Sequence, residues 1–287
     1  MTDTPLDLLP LADQLARMNA RDAAIPAVVA AAAPQVHAVV ERTVTAVHAG
    51  GRVVYLGAGT PGRLGVLDAV ELGPTFDVAD GSFVAVAAGR VDPLRGADDS
   101  QEDDAEAAVE HLDAVGLGAG DVLVAVSASG TTPYTLAGVR LARQRGAASV
   151  AIVCVPGSAM ALEADLPVLL PVGREVLQGS TRLGAGTAQK LVLNQISTLT
   201  MVQLGRVYGD LMAYVRTDNI KLRARARGIV ETASGRPGHA VAAALTAADG
   251  DARVALVSLR LGVGAQEARE LLAAAGGDLR TAMGERE

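Results

Sequence analysis

Five short apolar runs, each separated from the next by polar or helix-length chain, constrain this protein more than any other feature. They are RVVYL (52–56), FVAVAAG (83–89), DVLVAVSAS (121–129), SVAIVCV (149–155) and LPVLLPV (166–172). Each is continuous in apolar residues rather than alternating. A strand that is apolar on both faces needs cover on both faces, the condition of a parallel sheet between two helical layers. RLGVLDAVE (63–71), DSQEDDAEAAVEHLDAVG (99–116) and TPYTLAGVRLARQRGA (132–147) lie between runs and carry helical apolar spacing. The pattern predicts an α/β fold: a three-layer sandwich around a mostly parallel sheet.

Helices flank this region on both sides. A short leading helix is expected over 7–19. One long helix or two abutting helices follow from Asp22, with Pro26 in a first turn, Pro34 as a kink and Gly50-Gly51 as the stop. The longest helical run is 186–215, whose sparse charge suits burial or a subunit interface. After Arg216 the texture becomes short helical segments broken by glycines. The expected division is a helical segment over 1–50, an α/β domain over 51–216, and a small all-helical domain over 217–287. With no Trp and two Phe among 287 residues, the core must be built from Val, Leu and Ala.

A net charge of -7 argues against nucleic acid as partner, since phosphate backbones need a basic surface. No apolar run reaches transmembrane length, and the acidic N-terminal stretch has no signal-peptide character. One cysteine, Cys154, rules out an internal disulfide and fits a reduced cytoplasm. No His has metal-ligand spacing with another His or Cys, so no metal is expected.

Two loops at strand ends carry the chemistry. LGAGTPGRLGVLDAVE (56–71) contains G-x-G-x-x-G at Gly57, Gly59 and Gly62. In a strand–turn–helix context three readings stand: a dinucleotide site, a tight turn needing permissive dihedrals, or a site for a phosphate or other anion. The second strand ends VAVAAGR, without the acid that would hold a ribose, and the turn is not a Walker A. SASGTTPY (127–134) supports the anion. Ser127, Ser129, Thr131 and Thr132 supply hydroxyls, Gly130 a tight backbone path, and the helix start at Pro133 free N–H groups. Four hydroxyls in six residues exceed what one N-cap uses.

Four stretches together resemble the N-acetylmuramic acid 6-phosphate etherase family, whose fold is the sugar isomerase (SIS) domain: YLGAGTPGRLGVLDAVELGPTF (55–76), GADDS (96–100), SASGTTPY (127–134) and EVLQGSTRLGAGTAQKLVLNQIST (175–198). YGDLM (208–212) continues the match, and GGDLRTAM (276–283) resembles the end of a UBA-like helical module. The resemblance implies cleavage of the C3 lactyl ether of N-acetylmuramate 6-phosphate by elimination and hydration. The products would be N-acetylglucosamine 6-phosphate and D-lactate, formed without a cofactor in a cytoplasmic homodimer with its site near the interface.

It also implies roles. Glu71, in DAVELGPTF, matches the proton donor, and Asp98, in GADDS, matches a second family carboxylate that is normally glutamate. Thr60, Ser127, Ser129, Gly130, Thr131, Thr132, Glu175, Ser180 and Lys190 fall where substrate or phosphate is held. Asp99 and Ser100 are expected to cap the next helix, and Thr187 the long one. The acidic patch 101–110 reads as a solvated helix face. Departures cluster in the proposed pocket: Pro61 replaces a serine and Thr131 an arginine. These motivate two alternatives, a lyase or isomerase of another amino-sugar phosphate and a non-catalytic sugar-phosphate regulator.

Overall fold

The computed structural model describes residues 4–89, 99–215, 217 and 220–285; Asp98 lies outside them. Contacts divide the chain into two units, one running to Ala69 and including Gly81–Thr198, the other made of Val70–Asp80 and the chain from Leu199. This division falls at 198/199, earlier than the expected 216/217, and assigns 70–80 to the second unit.

All five apolar runs form strands: β1 (Val53–Gly57), β2 (Phe83–Ala87), β3 (Val122–Ser127), β4 (Ala148–Val153) and β5 (Leu166–Leu169). Every pairing is parallel, in the order β2-β1-β3-β4-β5. β1 and β3 are buried throughout, which is why their sequences do not alternate. Val54, Leu56, Leu123, Ala125, Ala151 and Val153 point into one core cluster with Leu112, Val139 and Ala142 from the covering helices. In this order chain direction across the sheet reverses between β1 and β3, the switch point where open parallel sheets place ligands.

The helices of this part are α1 (Leu11–Asp22), α2 (Ile25–Ala31), α3 (Ala33–His48), α4 (Gly59–Phe76), α5 (Ala105–Ala114), α6 (Pro133–Gln144), α7 (Ala159–Glu163) and α8 (Gly184–Gln203). Pro26 and Pro34 sit in the first turns of α2 and α3, so of the two expectations the pair of abutting helices holds, meeting at Ala32, and Pro34 starts a helix rather than kinking one. The leading helix lies at 11–22, later than expected. Five further expectations need correction. The helix expected over 99–116 is a 3-10 turn over Asp99–Asp103 followed by α5, capped by Asp104, whose side chain accepts the Glu106 and Ala107 N–H groups. The extended backbone of Asp104 brings its carboxylate over those donors, so Asp99 and Ser100 are not the caps of α5. The run 186–215 ends at Gln203, because Gly205 takes a left-handed φ of 72° and the Arg206 N–H closes back on Met201 O at 2.9 Å. α8 begins before Thr187, so that residue does not cap it. α4 continues through Pro74 to Phe76, so Glu71 lies inside the helix rather than at its end.

Two polar clamps tie sheet to helices. Asp121 accepts the Arg52 and Gly118 N–H groups at 2.9 and 3.0 Å and pairs with the Arg52 guanidinium at 2.7 Å, which also donates to Val115 O and Gly116 O. Asp68, buried on α4, accepts from Tyr55 Oη (2.8 Å), Asn194 Nδ2 (2.6 Å) and Ser197 Oγ (3.1 Å). This joins β1, α4 and α8 through one carboxylate.

The second unit contains α9 (Ile220–Ser234), α10 (Gly238–Ala247), α11 (Ala252–Leu261), α12 (Ala265–Ala274) and α13 (Leu279–Ala282). Its core gathers Ile229, Val230, Val241, Leu256, Leu272 and Leu279. Asp251 and Asp278 cap α11 and α13. Glu285 staples the C-terminal end by accepting from Tyr208 Oη and pairing with Arg260 and Arg280.

Candidate functional site

The G-x-G-x-x-G turn folds β1 tightly into α4. A Cβ on Gly57 would lie 2.5 Å from Gly62 N, and one on Gly62 would lie 2.7 Å from Gly57 O. The glycines therefore let the helix start against the strand end, which leaves the first-turn N–H groups of α4 at the carboxyl edge of the sheet. One register step away, Gly57 pairs with Val126, so the β3–α6 loop emerges beside this turn.

That loop is held by its own hydroxyls. Ser127 Oγ accepts the Gly130 N–H at 3.1 Å, and Ser129 Oγ accepts the Thr131 N–H at 3.2 Å. Gly130 has a φ of 68° and its Cα packs on Ser158, where any Cβ would fall 2.2 Å from Ser158 Oγ. Met160 N–H closes the back of the loop on Gly130 O at 3.0 Å. Below it, Tyr134 is fully buried and its hydroxyl meets His111 Nδ1 at 2.8 Å; burial pushes its phenol pKa up.

Between the two loops lies a cleft of about 200 Å³, lined by Ala58–Pro61, Val126–Ser129, Thr132, Thr181 and Glu102. Its size is below the roughly 300 Å³ at which ligand pockets begin, room for a phosphate and the near end of a sugar. The N-termini of α4 and α6 both open onto it, and no Lys, Arg or His lines it among the described residues. The donors it offers are helix-end N–H groups and hydroxyls.

The structure thus brings together Thr60, Ser127, Ser129 and Thr132, with Gly130 and Thr131 completing the loop. Thr181 joins from the GSTRLGAGTAQK segment, whose Gly186 packs on Thr60 Cγ2. Ser180 and Lys190 belong to the same segment but do not line the cleft. Glu175 is committed locally: its carboxylate accepts the Gly184 and Ala185 N–H groups, both at 2.9 Å, and so caps α8. Glu71 is exposed on α4 and is not among the cleft-lining residues. Glu102 is the residue the sequence misplaced. It belongs to the acidic patch read as a solvated face, yet it faces the hydroxyl loop and accepts from Thr132 Oγ1 at 3.3 Å. Nothing in its local sequence marks it, because the approach is made by a turn 30 residues away in the chain.

A parallel sheet in this order, with a glycine turn and a hydroxyl loop meeting at its switch point, defines a phosphosugar-binding domain of the SIS class. Family models agree: the SIS domain matches residues 103–198, and the N-terminal SIS domain of glucokinase regulatory protein matches residues 35–143. The chain belongs to the N-acetylmuramic acid 6-phosphate etherase family. It is 53% identical over 273 residues to the etherase of Rubrobacter xylanophilus, covering 95% of this chain and 90% of that protein. It is 46% identical over 278 residues to the Streptomyces coelicolor etherase, covering 97% and 89%. Among solved structures, phosphoheptose isomerase GmhA from Neisseria gonorrhoeae shares the fold at a TM-score of 0.52 and 18% identity, covering 67% of this chain and 98% of its own.

Proposed function

We propose that this chain cleaves the lactyl ether of N-acetylmuramate 6-phosphate. The observation that carries the reading is the cleft where the N-termini of α4 and α6 meet the hydroxyls of Thr60, Ser127, Ser129, Thr132 and Thr181. A phosphate seated there receives helix-end and hydroxyl donors and presents its sugar outward. A base then removes the C2 proton of the open-chain aldose, and its electron pair forms the C2–C3 double bond. The C3–O bond breaks as an acid protonates the departing lactate oxygen. Water adds at C3, a proton returns to C2, and N-acetylglucosamine 6-phosphate is left. Glu71 is the acid and Asp98 the second carboxylate, by match to the family; Ser180, Glu175 and Lys190 order the surrounding segment.

We further propose that two copies share each site. From Gly59 to Glu71, α4 climbs roughly 18 Å at about 1.5 Å per residue, farther than a hexose phosphate reaches from the helix start. Leu67 and Val70, half or more exposed, flank Glu71 on one face of α4, an apolar stripe fit to be covered by a second copy. On this reading the partner subunit's Glu71 serves the sugar held by the other's loops. A reduced cytoplasm fits the single thiol.

The test is incubation of the purified protein with N-acetylmuramate 6-phosphate and an assay for D-lactate. Turnover is expected, and Glu71→Gln should lower kcat by about a hundredfold to ten-thousandfold, the contribution of a general acid. No lactate from folded wild-type protein across a pH series would overturn the etherase. Pro61 among the cleft residues supports a second reading, a lyase or isomerase of a related amino-sugar phosphate. A product screen over 6-phosphosugars separates the two.

A further inference from the structure

A carboxylate stands in a cleft otherwise built for an anion. Glu102 accepts from Thr132 Oγ1 at 3.3 Å, and behind Thr132 runs a line of hydroxyls. Ser127 Oγ lies 3.0 Å from Thr132 Oγ1 and 3.3 Å from Ser129 Oγ, and Thr131 Oγ1 donates to Ser129 Oγ at 3.1 Å. Each hydroxyl has one proton, and an ionised carboxylate only accepts. Glu102 therefore sets the direction of the whole line: Thr132 donates to Glu102, Ser127 to Thr132, Ser129 to Ser127, Thr131 to Ser129. The Gly130 and Thr131 N–H groups are spent on the same oxygens.

In this arrangement the hydroxyl protons run along the loop toward Glu102, a carboxylate that lines the same cleft, and are committed before any anion enters. To bind a phosphate, Thr132 must let go of Glu102. The carboxylate is then left without its donor, beside a second negative charge. Glu102 is half-exposed, so the larger cost is its repulsion by that second charge. A ligand that carries its own O–H or N–H near the phosphate repairs the loss, and a bare anion does not.

We propose that Glu102 is a specificity-determining residue of this cleft. It selects phosphates attached to a donor-bearing sugar and rejects inorganic phosphate. It does so by a repulsive element as much as an attractive one. The proposal rests on the phosphosugar reading and names the residue that enforces it.

Titration calorimetry tests it at one pH and ionic strength, with inorganic phosphate and N-acetylglucosamine 6-phosphate as the two probes. In wild-type protein the sugar phosphate binds far more tightly. In Glu102→Gln the amide N–H₂ can donate to an anion, so the ratio of the two Kd values should shrink about fivefold or more, chiefly through tighter inorganic phosphate. Glu102→Asp keeps the charge and should hold most of the discrimination. A structural role would weaken both ligands together and leave the ratio unchanged. A ratio change below about fivefold in Glu102→Gln, with wild-type discrimination intact, overturns the proposal alone. Neither probe bound by wild-type protein overturns the phosphosugar reading and this proposal with it. Both measurements read binding, so they stand whether or not the protein turns over substrate.

Discussion

Gly130 shows how one residue type is fixed by its surroundings. Its left-handed φ of 68° and the 2.2 Å approach to Ser158 Oγ leave no room for a side chain. Gly130→Ala should destabilise the protein by about 2 kcal/mol or more, of which about 1–2 kcal/mol is the conformational strain. Ser158→Gly in the same chain should recover the steric part only. Urea denaturation of the two variants reads both components. Ser158 Oγ has no hydrogen-bond partner among the described residues, so the second change removes no bond of its own. Cys154 is a contrasting case. It is half-buried, and burial, then the charge of Glu175, pushes its thiol up to about 12, which leaves little thiolate to act as a nucleophile. The hydroxyls of the β3–α6 loop and the glycines of the β1–α4 turn were legible from their spacing, because each acts on backbone within a few residues. Glu102 was not, since its partner Thr132 comes from a different loop. Nor was the commitment of Glu175 to the α8 N-terminus, because Gly184 and Ala185 reach it only after the intervening turn has folded.

At the scale of elements, strand identities followed from continuous apolar runs and helix identities from periodicity. Helix ends did not follow so directly. α8 stops where Gly205 can adopt a left-handed conformation, although the apolar pattern runs on past it, and α4 tolerates Pro74 in its last turn. The Arg52–Asp121 clamp secures the start of β1 to the start of β3 and makes a prediction about acid. Burial raises the Asp121 pKa, but the Arg52 guanidinium and the Gly118 and Arg52 N–H groups together lower it by more, so on balance it sits below the usual aspartate value. The folded carboxyl is the stronger acid, so its stabilisation is complete above the unfolded value. It is lost as pH falls below about 4 through the folded one. Asp121→Asn should therefore lower stability by about 2 kcal/mol at neutral pH and flatten the acid limb of the stability curve. Thermal midpoints measured from pH 7 down to pH 3 check both the size and the sign. A variant whose acid limb keeps the wild-type slope would show that the titration of Asp121 is not what shapes that limb.

At the scale of the whole molecule, the proposed sharing of sites between copies has a sharp consequence. Glu71→Gln and Gly130→Ala damage different parts of the proposed site, its proposed acid and its proposed phosphate loop. If each site takes its loop from one subunit and its acid from the other, neither variant alone should be active, but a mixture should be. Random reassembly of equal amounts makes half the dimers mixed, and each mixed dimer has one intact site of two. Lactate production should then return to about a quarter of wild type. Sites confined to single subunits leave the mixture no more active than its parts. Light scattering on the same samples reports whether dimers form at all.

The sequence alone determined the layered α/β architecture, the helical C-terminal module and the two glycine- and hydroxyl-rich loops at the strand ends. These depend on local causes: apolar continuity, periodicity, permissive glycines and hydroxyls beside helix starts. Tertiary structure alone decided which polar groups face each other across the cleft. Glu102 meets the hydroxyl loop, Thr181 meets the glycine turn, and Asp68 gathers three donors from β1 and α8, because the sheet's switch point brings chain segments far apart in sequence to the same edge.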